Sequence, residues 1–235
     1  MQANSDIRQT AQNVVYKPKQ RAKTSGGIIS TFINGILAGI MVSVGGCAYL
    51  STDNKYLGSF LFSIGLFTIF SYGFALYTGR IGYAIGQNKD KNILLIPAWC
   101  GNLTGAIITG VLLHFTRISS KINPRAKELC SVKLSDSAFS ILFLSFFCGL
   151  LMFIAADNFK NAGNPVQKYL AVIMPVMVFI LCGFEHCVAN MFYFTAGNSW
   201  NLKALLYMAV MTLGNSAGSF VIPLLRRAAA SQTKL

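Results

Sequence analysis

Six apolar runs of about 20 residues, each long enough to cross the hydrocarbon core of a bilayer as a helix, take up most of this chain. They fall at residues 26–50, 57–77, 93–115, 135–156, 169–194 and 202–225. Inside a bilayer no water satisfies the backbone, so segments of this length are expected to be helical. Only 11% of the residues are charged, too few for the surface of an ordinary soluble domain. The runs predict an all-α membrane protein with a six-helix transmembrane domain at 26–227, a polar segment before it at 1–25 and a basic tail at 228–235.

A formal net charge of +13 would point to nucleic acid in a soluble protein. Here the 20 Lys and Arg residues lie almost wholly between or outside the runs, where they set membrane orientation. A lipid bilayer, and no nucleic acid, is the expected partner. With the N-terminus inside, the inner segments hold 13 of these residues and the outer ones 7. That balance predicts a multi-pass protein of the cell's inner (plasma) membrane with both termini cytoplasmic. Five outer cations, Arg117, Lys121, Arg125, Lys127 and Lys133, share the loop at 116–134, an exception that an anion vestibule would explain. The first 25 residues lack the apolar core of a signal peptide, so no cleavage is expected.

Two runs carry features that an inert span would not. The fifth contains GFEHCVANMF at 183–192, and an ionisable residue at membrane depth costs about 2.5–3.5 kcal/mol on insertion scales. Glu185 and His186 therefore need a pathway or a partner. One step along a helix turns a side chain by about 100°, so the two point different ways, and a pore role for His186 would leave Glu185 as a packing or subunit-contact residue. The second run ends in YTGRIGYAIGQ, with Gly73, Gly79, Gly82 and Gly86 close together. Glycine at this density weakens a helix, which predicts a break near Thr78, and broken backbone at this depth implies a pore lining.

The two halves echo each other. GNLTG at 101–105 in the third run and GNSAG at 214–218 in the sixth share a Gly-Asn-x-x-Gly frame. The interrupted second run with Thr78 matches, in order, the interrupted fifth run with His186. Three spans followed by three equivalent ones enter from opposite faces, an inverted repeat whose broken helices meet near the midplane. The six cysteines show no CxxC pair. Cys182 and His186 share a helix face, but Cys187 points elsewhere, so no metal and no cofactor is expected.

These residues together resemble the formate/nitrite transporter family, whose fifth-helix signature GFEHCVANMF is similar to. The resemblance implies aquaporin-like six-helix subunits with interrupted second and fifth helices, assembled as a homo-pentamer with a pore in each protomer. It implies His186 as the central pore histidine, Thr78 as the loop residue reaching it, Asn102 and Asn215 as the family's asparagines, and Lys133 as a source of positive potential. The hydrophobic slits map to Phe62, Leu66, Tyr77 and Phe179. Two departures stand out: Ala75 where the family has an acidic residue, and Cys148-Gly149-Leu150 where it has Ala-Asn-Leu. A missing amide at Gly149 would leave a roomier, less polar pore, closer to the hydrosulfide-conducting branch.

Basic mouths concentrate anions, and apolar slits favour the neutral form of a weak acid. His186 is then a hydrogen-bond or proton donor, with Asn102 and Asn215 bracing the broken backbone. The expected function is a channel or proton-linked facilitator for small monovalent anions, hydrosulfide first and formate or nitrite next. The competing readings are a membrane-embedded enzyme using Glu185 and His186, which lacks a nucleophile or cofactor motif, and an aquaporin-like neutral-solute pore. Arg80 marks either an inner field or the membrane boundary, and His114 reads as interfacial.

Overall fold

The computed structural model describes residues 27–86 and 89–232; the polar segment read at 1–25 lies outside the described residues. The elements are α1 (Ile28–Leu50), α2 (Lys55–Tyr72), α3 (Tyr77–Arg80), a 3-10 turn (Ile81–Gly86), α4 (Lys89–Asn92), α5 (Leu95–His114), α6 (Ser119–Ser135), α7 (Ala138–Asn161), α8 (Pro165–Leu181), α9 (Cys187–Ala196) and α10 (Leu202–Gln232). Helices α1, α5, α7 and α10 are each long and apolar enough to cross a membrane. The second run is a pair, α2 and α3 with its 3-10 extension, bent by 54°. The fifth divides into the shorter apolar helices α8 and α9. Helix α10 continues through Arg226 and Arg227 to Gln232, beyond the apolar run.

Local chemistry explains the boundaries. The Asn54 side chain accepts from the amides of Tyr56 and Leu57 at the start of α2, and those of Ser137 and Asn164 do the same for Ser140 and Gln167 in α7 and α8, satisfying donors that a helix start leaves open. Helix α2 stops at Gly73, which takes the left-handed conformation (φ 78°) that glycine adopts without strain. Gly183 does the same after α8 (φ 69°). The break in the second run thus falls at 73–76, earlier than the Thr78 expected from glycine density. Thr78 lies in the first turn of the resumed helix.

The two halves repeat the same helix crossings and backbone hydrogen bonds around these breaks. Helix α5 packs on α1 as α10 packs on α7. A Cβ on Gly101 or Gly105 would collide with the carbonyls of Phe32 and Ile36 on α1, and one on Gly214 or Gly218 with those of Leu142 and Phe146 on α7. The Gly-Asn-x-x-Gly frame is therefore a close helix crossing made twice, with small residues admitting the facing backbone. The Ala75 amide donates to Asn34 O at 3.1 Å and the Glu185 amide to Leu144 O at 3.3 Å. Counterparts Asn34/Leu144, Gly73/Gly183, Ala75/Glu185 and Tyr77/Cys187 keep one constant offset along the chain.

By that offset the counterpart of His186 is Leu76 and that of Thr78 is Val188. Thr78 and His186 are not equivalent positions of the repeat, as the order of the runs had implied; they are neighbours across it.

The basic stretch read as a loop at 116–134 is largely helix α6. Its Ile122, Ala126 and Cys130 are buried while Lys121, Lys127 and Glu128 are exposed, an amphipathic pattern that a search for spanning runs does not register. Arg125 on α6 donates to Leu50 O at 2.9 Å and pairs with Asp53, fastening the α1–α2 turn. The side-chain hydrogen bond from Arg125 to Asp53, with the nearby Lys121 and Arg125 charges, holds the Asp53 carboxyl below its usual range. A depressed carboxylate stabilises the fold above its unfolded value and loses that contribution as pH falls through its folded value. Asp53→Asn is expected to have only a small effect on stability at pH 7, since the group is exposed. Thermal melts in detergent over a falling pH series check this: the difference between wild type and variant seen at pH 7 should shrink as pH falls through the range where Asp53 protonates.

Apolar side chains such as Ile64, Leu112, Phe139 and Leu213 are at least half exposed on the outside of the bundle. Exposure of that extent on a soluble monomer would be unusual; a bilayer or neighbouring subunits cover it naturally.

Candidate functional site

The two breaks face each other in the middle of the bundle. Thr78 Oγ1 lies 2.8 Å from His186 Nε2, both residues being almost fully buried. His186 also caps α9: its Nδ1 accepts the Ala189 amide at 3.1 Å. A nitrogen that accepts carries no proton in the neutral ring, so the ring hydrogen, assigned from these partners, is on Nε2 and is donated to Thr78. The Thr78 hydroxyl hydrogen then has no acceptor among the described residues.

Aromatic rings stack against this pair. Phe179 lies 5.8 Å from the His186 ring at an interplanar angle of 29°, and Phe62 meets Phe179 edge-on at 5.6 Å. Phe62, Leu66 and Phe179 are buried, so polar donors at the centre are flanked by apolar walls. Tyr77, the fourth slit residue, is half-buried, and its hydroxyl lies 2.9 Å from Ser216 Oγ.

Among the described residues, Asn102 and Asn215 make all their side-chain hydrogen bonds with backbone. Asn102 Nδ2 donates to Gly35 O at 2.9 Å and Ala75 O at 2.8 Å, and its Oδ1 accepts the Tyr77 amide at 2.9 Å. Asn215 repeats the set on the other half: Nδ2 to Ser145 O at 2.7 Å and Glu185 O at 2.8 Å, Oδ1 from the Cys187 amide at 2.9 Å. Each amide ties a broken helix to two whole ones, and neither is left over for an anion.

Glu185 is buried inside the protomer rather than at its surface. Its Oε2 accepts from Lys133 Nζ at 2.6 Å and from Asn190 Nδ2 at 2.7 Å. Lys133 closes α6 and is itself buried, so it reaches inward to a carboxylate and does not stand free at a mouth. With Arg125 and Lys121 paired to Asp53, three of the five cations expected to form a vestibule have anionic partners already. Arg80 Nη2 reaches Gly73 O at 3.5 Å across the first break. His114 is exposed at the end of α5, its Nε2 3.2 Å from Thr195 O.

Gly149 corrects the reading of a roomier pore. A Cβ there would collide with the backbone of Asn215 on α10, so the position faces a helix contact and a missing side chain opens nothing. Its counterpart Gly39 meets the Asn102 carbonyl of α5 in the same way, which gives this glycine a packing reason. Asn190, absent from the expected site, was within reach of the sequence: it stands one helical turn after His186, inside the same motif.

The chain is 23% identical to "Formate channel FocB" of Escherichia coli (strain K12), over 70% of this chain and 65% of that protein. It is 24% identical to "Formate channel FocA" of Haemophilus influenzae, over 71% and 66%. It thus spans just under two thirds of these curated relatives. A "Probable formate transporter" of Methanothermobacter thermautotrophicus is 24% identical with 90% of each chain covered. Among solved structures, "Pentameric formate channel with formate bound" superposes with a TM-score of 0.74 at 22% identity, covering 87% of this chain and 98% of that one. A family model described as formate/nitrite transporter matches residues 8–228. A match of that extent settles the assignment: this chain is a member of the formate/nitrite transporter family.

Proposed function

We propose that the protein conducts small monovalent anions of weak acids through each protomer, formate first, at the Thr78–His186 pair. The single observation that carries this is the 2.8 Å contact between Thr78 Oγ1 and His186 Nε2, a hydroxyl and a ring nitrogen walled by Phe179, which stacks on the ring, and by Phe62 beyond it. A bare anion entering such walls loses hydration worth several kcal/mol. Donors at the centre replace part of it, and the apolar walls push a weak acid towards its neutral form. The N-terminus of α9 starts at the same point and adds its positive end. Lys133, Asn102 and Asn215 support the reading at one remove, by holding this centre in place.

Relatives that carry the word formate in their names favour that substrate. Hydrosulfide belongs to the same chemical class, but Gly149 no longer argues for it. Family membership removes the membrane-embedded enzyme. A homo-pentamer with both termini cytoplasmic, in the plasma membrane, completes the proposal; the structural likeness to a pentameric channel and the balance of basic residues support it.

Flux into proteoliposomes tests it, with formate, hydrosulfide, nitrite and chloride compared side by side across pH. Formate should pass faster than chloride and increasingly so at lower pH. His186→Ala should slow formate by about tenfold or more, the worth of a hydrogen bond to a charged group. Equal rates for His186→Ala and wild type would remove His186 from the pathway, and indifference to charge and pH would favour a neutral-solute pore.

A further inference from the structure

A second group of charged side chains lies apart from the central pair, at the end of the bundle where α7 finishes and α10 runs past its apolar stretch. Asp157 on α7 is its hub. The Asp157 Oδ2 pairs with Arg226 Nη1 at 2.9 Å, and its Oδ1 accepts from the Tyr83 hydroxyl at 3.3 Å and from Asn161 Nδ2 at 3.2 Å. These bonds tie α7, α10 and the 3-10 turn together. Lys160, one helical turn after Asp157, holds its Nζ 4.7 Å from the centre of the Tyr83 ring. A Cβ built on Gly86 would stand 3.6 Å from Arg227 Nη2, so that guanidinium lies beside the end of the same turn.

Three cations thus gather around one carboxylate, which is already paired with Arg226. Among the described residues Lys160 and Arg227 have no acidic partner, and both are exposed. A ring face holds one and the turn borders the other, so both ends are presented together. Like charges this close repel, and an anion between them relieves the repulsion. The residues beside the cluster decide what kind of anion. Leu224 stands three positions before Arg227, on the same face of α10 and one turn nearer the apolar stretch. Leu224 and Leu225 are 52% and 65% exposed, which puts hydrocarbon directly beside free positive charge. A free phosphate would use only the charged part of that strip.

We propose that Lys160 and Arg227 bind the phosphodiester headgroup of an anionic glycerophospholipid, with an acyl chain lying along Leu224 and Leu225. The two cations meet the phosphate. Arg226 keeps the Asp157 charge compensated, so the carboxylate does not repel the headgroup, and Tyr83 positions Lys160. Aromatic rings and long basic side chains at this level of a membrane protein match the headgroup region in kind. Phosphatidylcholine carries an ammonium that cancels its phosphate, whereas phosphatidylglycerol keeps a net negative charge, so the site prefers the second. A lipid held there bridges α10 to the turn that continues α3.

The test is lipid binding to the full-length protein purified in detergent, with phosphatidylglycerol and phosphatidylcholine as probes, read by native mass spectrometry and by melting temperature. Wild type should retain phosphatidylglycerol in preference and melt higher in its presence. The Lys160→Gln, Arg227→Gln double variant should bind it about tenfold more weakly or less tightly still, the combined worth of two cations beside an anionic lipid. The charge-keeping pair Lys160→Arg, Arg227→Lys should bind as wild type does. Lys127→Gln with Lys203→Gln removes the same charge from exposed or ring-bound lysines elsewhere and should change nothing. Wild-type binding by the first double variant would overturn the site, as would an equal loss in the Lys127, Lys203 control, which would make net charge the cause. Displacement of the lipid by inorganic phosphate or by poly-glutamate at equal concentration would also overturn it, in favour of a soluble phosphate or an acidic protein segment.

Discussion

Lys133→Ala is expected to destabilise the protein by about 3–5 kcal/mol, the usual result of removing one partner from a buried ion pair. The reason lies on the carboxylate. Glu185 is 3% exposed, and without Lys133 its remaining side-chain partner is Asn190, which cannot offset a buried negative charge. Pairing the loss with Glu185→Gln removes that charge, so the double variant should recover most of the stability. Thermal unfolding of the purified oligomer in detergent reads both. A single variant that melts with the wild type would mean that water already solvates Glu185. Flux should follow the same order, because Lys133→Ala leaves a bare anion near the site and the double variant does not.

Asn215→Leu should be nearly as damaging. The leucine fills similar space but leaves two carbonyls, Ser145 O and Glu185 O, and one amide, that of Cys187, without their partners. A buried polar group left unsatisfied costs about 1–3 kcal/mol, so a loss of about 3 kcal/mol or more is expected. The repeat adds a sharper requirement. Asn102 holds the equivalent three groups on the other half, so Asn102→Leu should match it within about 1 kcal/mol. Unequal losses would show that the two breaks are braced differently despite their identical bonding. Hydrogen exchange at residues 73–76 and 182–186 would locate the loosened segment in each case.

How much of this was legible beforehand depends on the length scale of the signal. Apolar runs are a local property and the bilayer reads them locally, so the spans, the two interruptions and the family likeness were all visible in composition and motif. The amphipathic helix α6 was not, because its buried residues Ile122, Ala126 and Cys130 are diluted by basic neighbours. Its partners, the α1–α2 turn and Glu185, are distant in the chain.

The sequence by itself determined that the chain crosses a membrane, that its second and fifth spans are interrupted, and that Asn102 and Asn215 recur in one frame. Those features follow from hydropathy and glycine placement, which act over a few residues. Only the tertiary structure decided that Lys133 neutralises Glu185, that Gly149 faces α10, and that Tyr77 leans on Ser216. Each of those is set by which helices pack together and at what rotation, and a side chain's direction across such a contact is not a property of its neighbours in sequence.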